Sequence, residues 1–395
     1  MTNGTFMTQN SQSDCSSDVN SNPQEILFSS GNRELRTSGH HTRIQVPANG
    51  GANGASPFQI AVNAALSEAS KNGQQNQIIV GAIPFDTSEP SCLYIPEQFE
   101  WVDRSENSAQ ASLQKSPTLL ADKSIPDEAG FKRAVKQAVM NLQHSDVDKA
   151  VLSATRELQF AETVDVEQLL ASLRAQNKDG YQFRIPLSDG SKLIGVSPEL
   201  LVRKTGGHIT CNPLAGSAKR QADPEQDHAV AEKLLGSEKD QYEHSVVIRE
   251  MKRVLEPHCA ELSVPDSPSL LSTSALWHLS TVIEAELKDP SMTALQVACL
   301  LHPTPAICGF PTELAHRLIR FVEPFERGLF TGIVGWSDLQ GNGEWVITIR
   351  SGIVHNDVIR VFAGAGIVEA SQPDSEWNEI QTKMSTMLNA CGLGA

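Results

Sequence analysis

Hydrophobic positions recur with two different periods along the chain, and their alternation predicts its architecture. In 126-PDEAGFKRAVKQAVMNL-142 the apolar residues keep helical spacing, whereas 147-VDKAVLSA-154 alternates as a strand. A second helix is predicted over 375-SEWNEIQTKMSTMLNA-390, with Ser375 as N-cap and Trp377, Ile380, Met384 and Met387 on one face. In 237-SEKDQYEHSVVIREMKRVL-255, Val247, Met251 and Val254 form one apolar stripe. The stretch 331-TGIVGWSDLQGNGEWVITIRSGIVHNDVIRVFAGAG-366 reads as three Val/Ile-rich runs separated by QGNG and HND, an antiparallel meander. Helices mixed with strands in sequential hairpins predict an α+β fold with large antiparallel sheets, not a doubly wound parallel sheet.

Two stretches fall outside this patterning. Residues 1–24 are rich in Ser, Asn and Gln with hardly any apolar side chains, which predicts a disordered polar tail. The polar run 103–126 is expected to be a surface connection between a variable N-terminal part (25–125) and a core (126–395). The 395 residues suffice for one large mixed domain or two ordinary ones.

Composition narrows the chemistry. Thirty-two basic side chains against 47 acidic ones give a net charge of -15, which disfavours non-specific binding to nucleic acid or anionic membranes. An anionic substrate therefore needs a local cation. The apolar runs are too short for a membrane helix. Seven scattered cysteines without CxxC spacing suggest neither a disulfide framework nor structural zinc and, with no signal peptide, point to the cytoplasm.

Against that background the carboxylate pairs stand out. Glu376, Glu379 and Lys383 fall within about 60° of one another around the C-terminal helix, which by itself fits a solvated face with i,i+4 pairing. Asp240 and Glu243, however, continue the apolar stripe of the other helix and so tend to point inward. Two helices each offering a carboxylate pair, without His or Cys, suit a hard oxygen-ligated ion such as Mg²⁺. Lys149 alternates with Val147 and Val151, so it is either an edge lysine or a buried amine usable as a general base. Glu199 follows a strand at a Ser-Pro turn among apolar neighbours, where an apolar pocket would keep it protonated. Arg350, on a strand face with Val346 and Thr348, is a rim salt-bridge partner or a fork for a carboxylate. His278 in LWHL reads first as a core histidine. The run 364-GAGIVE-369 resembles part of a dinucleotide fingerprint, but it follows the meander and too little chain remains for a βαβ unit; its backbone amides can still bind a carboxylate.

The stretches 79-IVGAIPFD-86, 148-DKAVLS-153, 195-GVSPELL-201, 213-PLAGSAKR-220, 236-GSEKDQYEH-244 and 275-ALWHL-279 occur in that order. They are followed by 301-LHPTPAICGFP-311, 332-GIVGW-336, 343-GEWVITIR-350, 362-FAGAGIV-368 and the terminal EWNEIQTK. Over roughly residues 25 to 395 the chain thereby resembles the chorismate-utilising enzymes, most closely the isochorismate synthases of the siderophore (2,3-dihydroxybenzoate) type. The resemblance implies a four-layer fold of two large antiparallel sheets faced by helices, in a single catalytic domain. It implies Mg²⁺ held by Glu243 and Glu379 with Asp240 and Glu376 in support, Lys149 as general base and Glu199 as general acid. By the same resemblance Arg350 and the Gly364 amide hold the enolpyruvyl carboxylate, Gly216, Ser217 and Lys383 serve the ring carboxylate, His278 lies beside the ring and Ala306 at its edge. Ala215 in PLAGS, where aminodeoxychorismate synthases carry the lysine of PIKGT, favours water over an amine as nucleophile. A monomer without a glutaminase subunit, acting on chorismate, is expected. Salicylate synthases, and isochorismate synthases serving menaquinone or salicylate, remain alternatives on the sequence.

Overall fold

The computed structural model describes residues 25–71, 77–104 and 117–393, so the polar tail lies outside the described residues. The chain begins with β1 (Leu27–Ser30), β2 (Arg33–Ile44), α1 (Pro57–Lys71), β3 (Ile78–Ile83), β4 (Cys92–Asp103) and β5 (Leu119–Ile125). Next come α2 (Glu128–Gln143), β6 (Lys149–Phe160), α3 (Val166–Gln176), β7 (Tyr181–Pro186), β8 (Lys192–Ser197), β9 (Leu200–Thr205), β10 (His208–Asn212) and β11 (Leu214–Lys219). Helices α4 (Pro224–Leu235) and α5 (Glu238–Leu255) lead into β12 (Cys259–Ser263), β13 (Ser269–Ser272), β14 (Leu276–Ser280) and β15 (Ile283–Leu287). The last third holds α6 (Ala294–Leu301), β16 (Gly309–Phe310), α7 (Thr312–Val322), β17 (Ile333–Asp338), β18 (Gly343–Ile347), β19 (Ser351–His355), β20 (Val358–Ile367) and α8 (Pro373–Ala390).

Every ladder among the described residues is antiparallel. Pairing runs β12-β15-β10-β9-β18-β17-β3-β4-β2, passes through the β1–β2 hairpin, and continues β1-β7-β8-β19-β20-β6, with β5 and β16 both on β6. The hairpin thus joins two large sheets into one 17-stranded ladder, beside a small separate sheet β11-β14-β13. Three buried clusters mark the spaces between layers. Phe28, Leu35, Val80, Phe183, Val334 and Val346 pack the two sheets face to face. Phe58, Val247, Met251, Leu295 and Trp345 seal α1, α5 and α6 onto the sheet of β9 and β18. Phe131, Leu170, Ile319, Ile380 and Met384 seal α2, α3, α7 and α8 onto the sheet of β6 and β20. The expected four-layer α+β arrangement holds. Strands in the middle layers are covered on both faces, which is why β3 (IIVGAI) is buried at every position.

Four local expectations change. The connection 103–126 is not all loop: 119–125 is β5, paired to β6, while 105–116 lie outside the described residues. The meander is two hairpins in different sheets, since β18 pairs with β17 and β9 whereas β19 pairs with β20 and β8. Arg350 is consequently not on a strand face; it sits in the 348–350 crossing between β18 and β19 with φ of 50°. Periodicity alone cannot reveal this break, because both flanking runs carry the same alternation. Helix α8 starts at Pro373 with Gln372 as cap, so Ser375 lies inside its first turn; proline at the first helical position overrides the serine.

Candidate active site

A cleft opens where the two sheets meet α5 and α8. Its lining includes Glu199, Gly216, Ser217, Glu243, His278, Ala306, Arg350, Gly364 and Lys383. Apart from Gly216 and Ser217, which share β11, each is delivered by a different piece of the fold. Glu199 lies in the Pro198–Glu199 link from β8 to β9, and burial pushes its carboxyl up to about 7 against the pull of Leu214 N–H, Lys149, Arg350 and Lys383. A carboxyl in that range still carries a transferable proton near neutrality.

Lys149 opens β6 and is 0% exposed, so of its two sequence readings the buried one is correct. Its Nζ lies 3.0 Å from Glu243 Oε1. That approach depends on Gly366 of β20: a Cβ there would stand 1.9 Å from Glu243 Oε1 and 2.9 Å from Lys149 Cε. The inward stripe of α5 is as expected, with Val247 and Met251 buried and Glu243 beside them.

On α8, Ile380, Met384 and Met387 are buried and Trp377 packs on Phe131, ring centroids 5.7 Å apart. The adjoining stripe is not a solvated face. Lys383 Nζ is 2.6 Å from Glu379 Oε1 and donates to the Gly364 carbonyl at 2.9 Å. That carbonyl therefore faces α8 instead of β6, and the Gly364 N–H, on the same strand edge, faces the same way. Burial pushes Glu379 up, but Lys383 and Lys239 outweigh it and hold the carboxyl below its ordinary value. Glu376 is 1% exposed, driven up by burial and then by the Glu379 charge, and its Oε1 accepts from Lys239 Nζ at 2.8 Å. Asp240 is likewise pushed up by burial, with Glu243 and Glu379 adding to it.

The four carboxylates thus gather from α5 and α8 as the sequence suggested, yet among the described residues no three of them close into a ready ligand shell. Glu243, Glu379 and Glu376 are each met by a lysine instead. The donor set itself, carboxylate oxygens without sulfur or imidazole, fits a hard divalent cation.

The opposite chemistry comes from Arg350, 9% exposed, whose guanidinium burial lowers to about 10, still charged at neutral pH. Its carbonyl accepts from Val196 N at 3.1 Å, which anchors the sheet-to-sheet crossing. On the small sheet Ser217 pairs with His278, and a register shift at Gly216, φ of 76°, re-aims the strand towards Asp240. His278 is buried, its Nε2 has no hydrogen-bond partner among the described residues, and burial followed by the Arg350 and Lys383 charges holds it neutral. Ala306, in the link from α6 to β16, lines the cleft beside Ile307. Sequence reasoning missed Lys239 and Gly366. Lys239 carries a faint signal, a lone cation beside Asp240 and four residues before Glu243; Gly366 carries none beyond the GAG spacing.

Comparison with known proteins identifies the family. Residues 59–392 match the family described as chorismate binding enzyme. The chain is 45% identical to isochorismate synthase EntC of Escherichia coli K12 over 94% of its length and 95% of the relative's. It is 38% identical to isochorismate synthase DhbC of Bacillus subtilis, with 94% and 92% covered. The Bacillus anthracis structure assigned as a 2,3-dihydroxybenzoate-specific isochorismate synthase, DhbC, superposes with a TM-score of 0.85 at 39% identity, covering 94% of this chain and 97% of that one. With its four layers, its cleft and these relatives in agreement, the chain belongs to the chorismate-binding enzymes.

Proposed function

We propose that the chain is an isochorismate synthase, converting chorismate to isochorismate for 2,3-dihydroxybenzoate siderophore formation. The observation that carries the mechanism is that Glu199, a cleft carboxyl that keeps its proton near pH 7, feels the charge of Lys149, a fully buried lysine standing 3.0 Å from the cleft residue Glu243. Lys149 takes a proton from water as its oxygen bonds to C2 of the ring. Glu199 gives its proton to the C4 hydroxyl, whose C–O bond breaks, and the ring double bonds shift between the two carbons. Arg350 and the Gly364 amide hold the enolpyruvyl carboxylate, a pairing favoured by a charged fork buried beside an edge-facing backbone group. Gly216, Ser217 and Lys383 orient the ring carboxylate, while neutral His278 lies beside the ring and Ala306 bounds it.

Glu243 and Glu379, supported by Asp240 and Glu376, would hold Mg²⁺, which supplies positive charge against the ring carboxylate in a protein of net charge -15. Water is the nucleophile because Ala215 puts a methyl group where aminodeoxychorismate synthases carry the lysine of PIKGT, and no glutaminase subunit is needed. The strands of 25–125 pair into both large sheets, so the described chain acts as one catalytic unit. No described helix is long and apolar enough to cross a membrane; we take the protein to act as a cytoplasmic monomer.

The test is product analysis from chorismate with Mg²⁺ and with EDTA, in H₂¹⁸O. Isochorismate labelled at the C2 hydroxyl, formed only with the ion, is expected. Stoichiometric pyruvate would assign a salicylate-forming enzyme, and aminated products with ammonium would overturn the water mechanism.

A further inference from the structure

Two charged side chains that this chemistry does not use are buried directly behind the cleft. Arg327 and Glu323, 3% and 4% exposed, form a two-pronged ion pair. Arg327 Nε donates to Glu323 Oε2 at 2.8 Å and Nη2 to Oε1 at 2.6 Å. The remaining donors go to the cleft itself. Nη1 donates to the Ile307 carbonyl at 2.9 Å and to Thr331 Oγ1 at 3.2 Å, and Nη2 to the Val151 carbonyl at 2.7 Å. Glu323 Oε1 also accepts from Ser153 N at 2.7 Å. The Phe85 ring covers the group, its centroid 4.5 Å from Cζ.

Neither Arg327 nor Glu323 lines the cleft, but Val151, Ile307 and Thr331 all do, and Ser153 stands opposite Gly364 in the β6–β20 ladder. These groups come from three segments: β6, the link before β16, and the turn before β17. In that turn Thr331 holds φ of 56°, a conformation a β-branched residue avoids unless its surroundings enforce it. A buried ion pair is weak evidence for stability, since desolvation offsets the attraction. A planar guanidinium with every N–H directed to a separate acceptor does fix geometry, and a lysine has too few donors to reproduce it.

We propose that Arg327, oriented by Glu323, is a positioning residue: it locks the Val151, Ile307 and Thr331 segments into the one wall against which the substrate ring is placed. The inference rests on the chorismate reading of the cleft. Its test is steady-state kinetics of Arg327→Met, Arg327→Lys and Glu323→Gln with chorismate and Mg²⁺, alongside thermal melts. Partial unfolding lowers the amount of active enzyme, hence apparent kcat, but leaves KM alone. A displaced wall raises KM for chorismate, by about tenfold or more in Arg327→Met given what small misplacements cost, with part of the loss recovered in Arg327→Lys. Should Arg327→Met fail to fold, Arg327→Lys and Glu323→Gln, which keep most of the side-chain volume but lose donors or charge, carry the measurement. Wild-type KM in every folded variant, whatever the melting temperature, would overturn the proposal. Failure of the wild-type protein to turn over chorismate would overturn the reading beneath it instead.

Discussion

At the scale of single residues, the group with most at stake is Glu199. An ordinary carboxyl ionises near 4.5, whereas burial moves this one to about 7. Below pH 4.5 the folded and unfolded chains both hold its proton and nothing is gained or lost. Between 4.5 and about 7 only the folded chain still binds it, so stability falls as pH rises, and above 7 the full penalty applies. The distance from 4.5 to about 7 corresponds to on the order of 3 kcal/mol. Glu199→Gln should therefore lose most turnover, about 10² to 10⁴-fold in kcat, yet melt higher than wild type at pH 8, with the difference gone at pH 4.5. A variant no more stable at pH 8 would mean that folding does not raise the Glu199 carboxyl above its ordinary value. The sequence placed this residue well, because a Ser-Pro turn between two apolar runs leaves the side chain little but protein to face. It placed Lys149 only as a choice between edge and interior, since alternation says which face a side chain takes and not whether that face is covered. Gly366 was invisible for a physical reason: its role is to be absent where Glu243 and Lys149 meet, and no local pattern encodes a neighbour from a distant helix.

At the scale of elements, α5 and α8 were legible because the acids of α5 continue its apolar stripe while those of α8 run beside its own. What could not be read was how they face each other, since that is set by layers assembled from the whole chain. Lys239, in the first turn of α5, ties that turn to Glu376 in the first turn of α8. Lys239→Met removes the tie and leaves a carboxylate that is 1% exposed and that protonates instead. With the lysine itself 27% exposed, the expected loss is about 1 to 2 kcal/mol, seen as a lower melting temperature without metal. The same variant should bind Mg²⁺ more tightly in calorimetry, because the ion no longer competes with a tethered ammonium. Unchanged melting together with weaker Mg²⁺ binding would remove Lys239 from this role. The meander failed as an expectation at the same scale: two hairpins that look continuous in sequence belong to different sheets, and only Arg350, turned into the left-handed region, marks the place where the chain changes over.

At the scale of the whole molecule, the ladder that runs unbroken through the β1–β2 hairpin, and the cluster of Phe28, Leu35, Phe183 and Val346 between the sheets, leave no seam along which the described chain divides. Unfolding in urea should accordingly show one transition, with far-UV circular dichroism and tryptophan fluorescence coincident; two separated steps would reveal two folding units. Trp345 between one sheet and its helices, and Trp377 against the other set, make fluorescence a reporter of both outer layers. The lysines that meet Glu243, Glu379 and Glu376 bear on how such a molecule comes into being. Because it carries its own countercharges, a newly made chain can reach its final shape without waiting for magnesium. Under the magnesium reading, competence is then conferred afterwards and can be withdrawn, so a shortage of the ion would idle the enzyme and leave it intact for reuse.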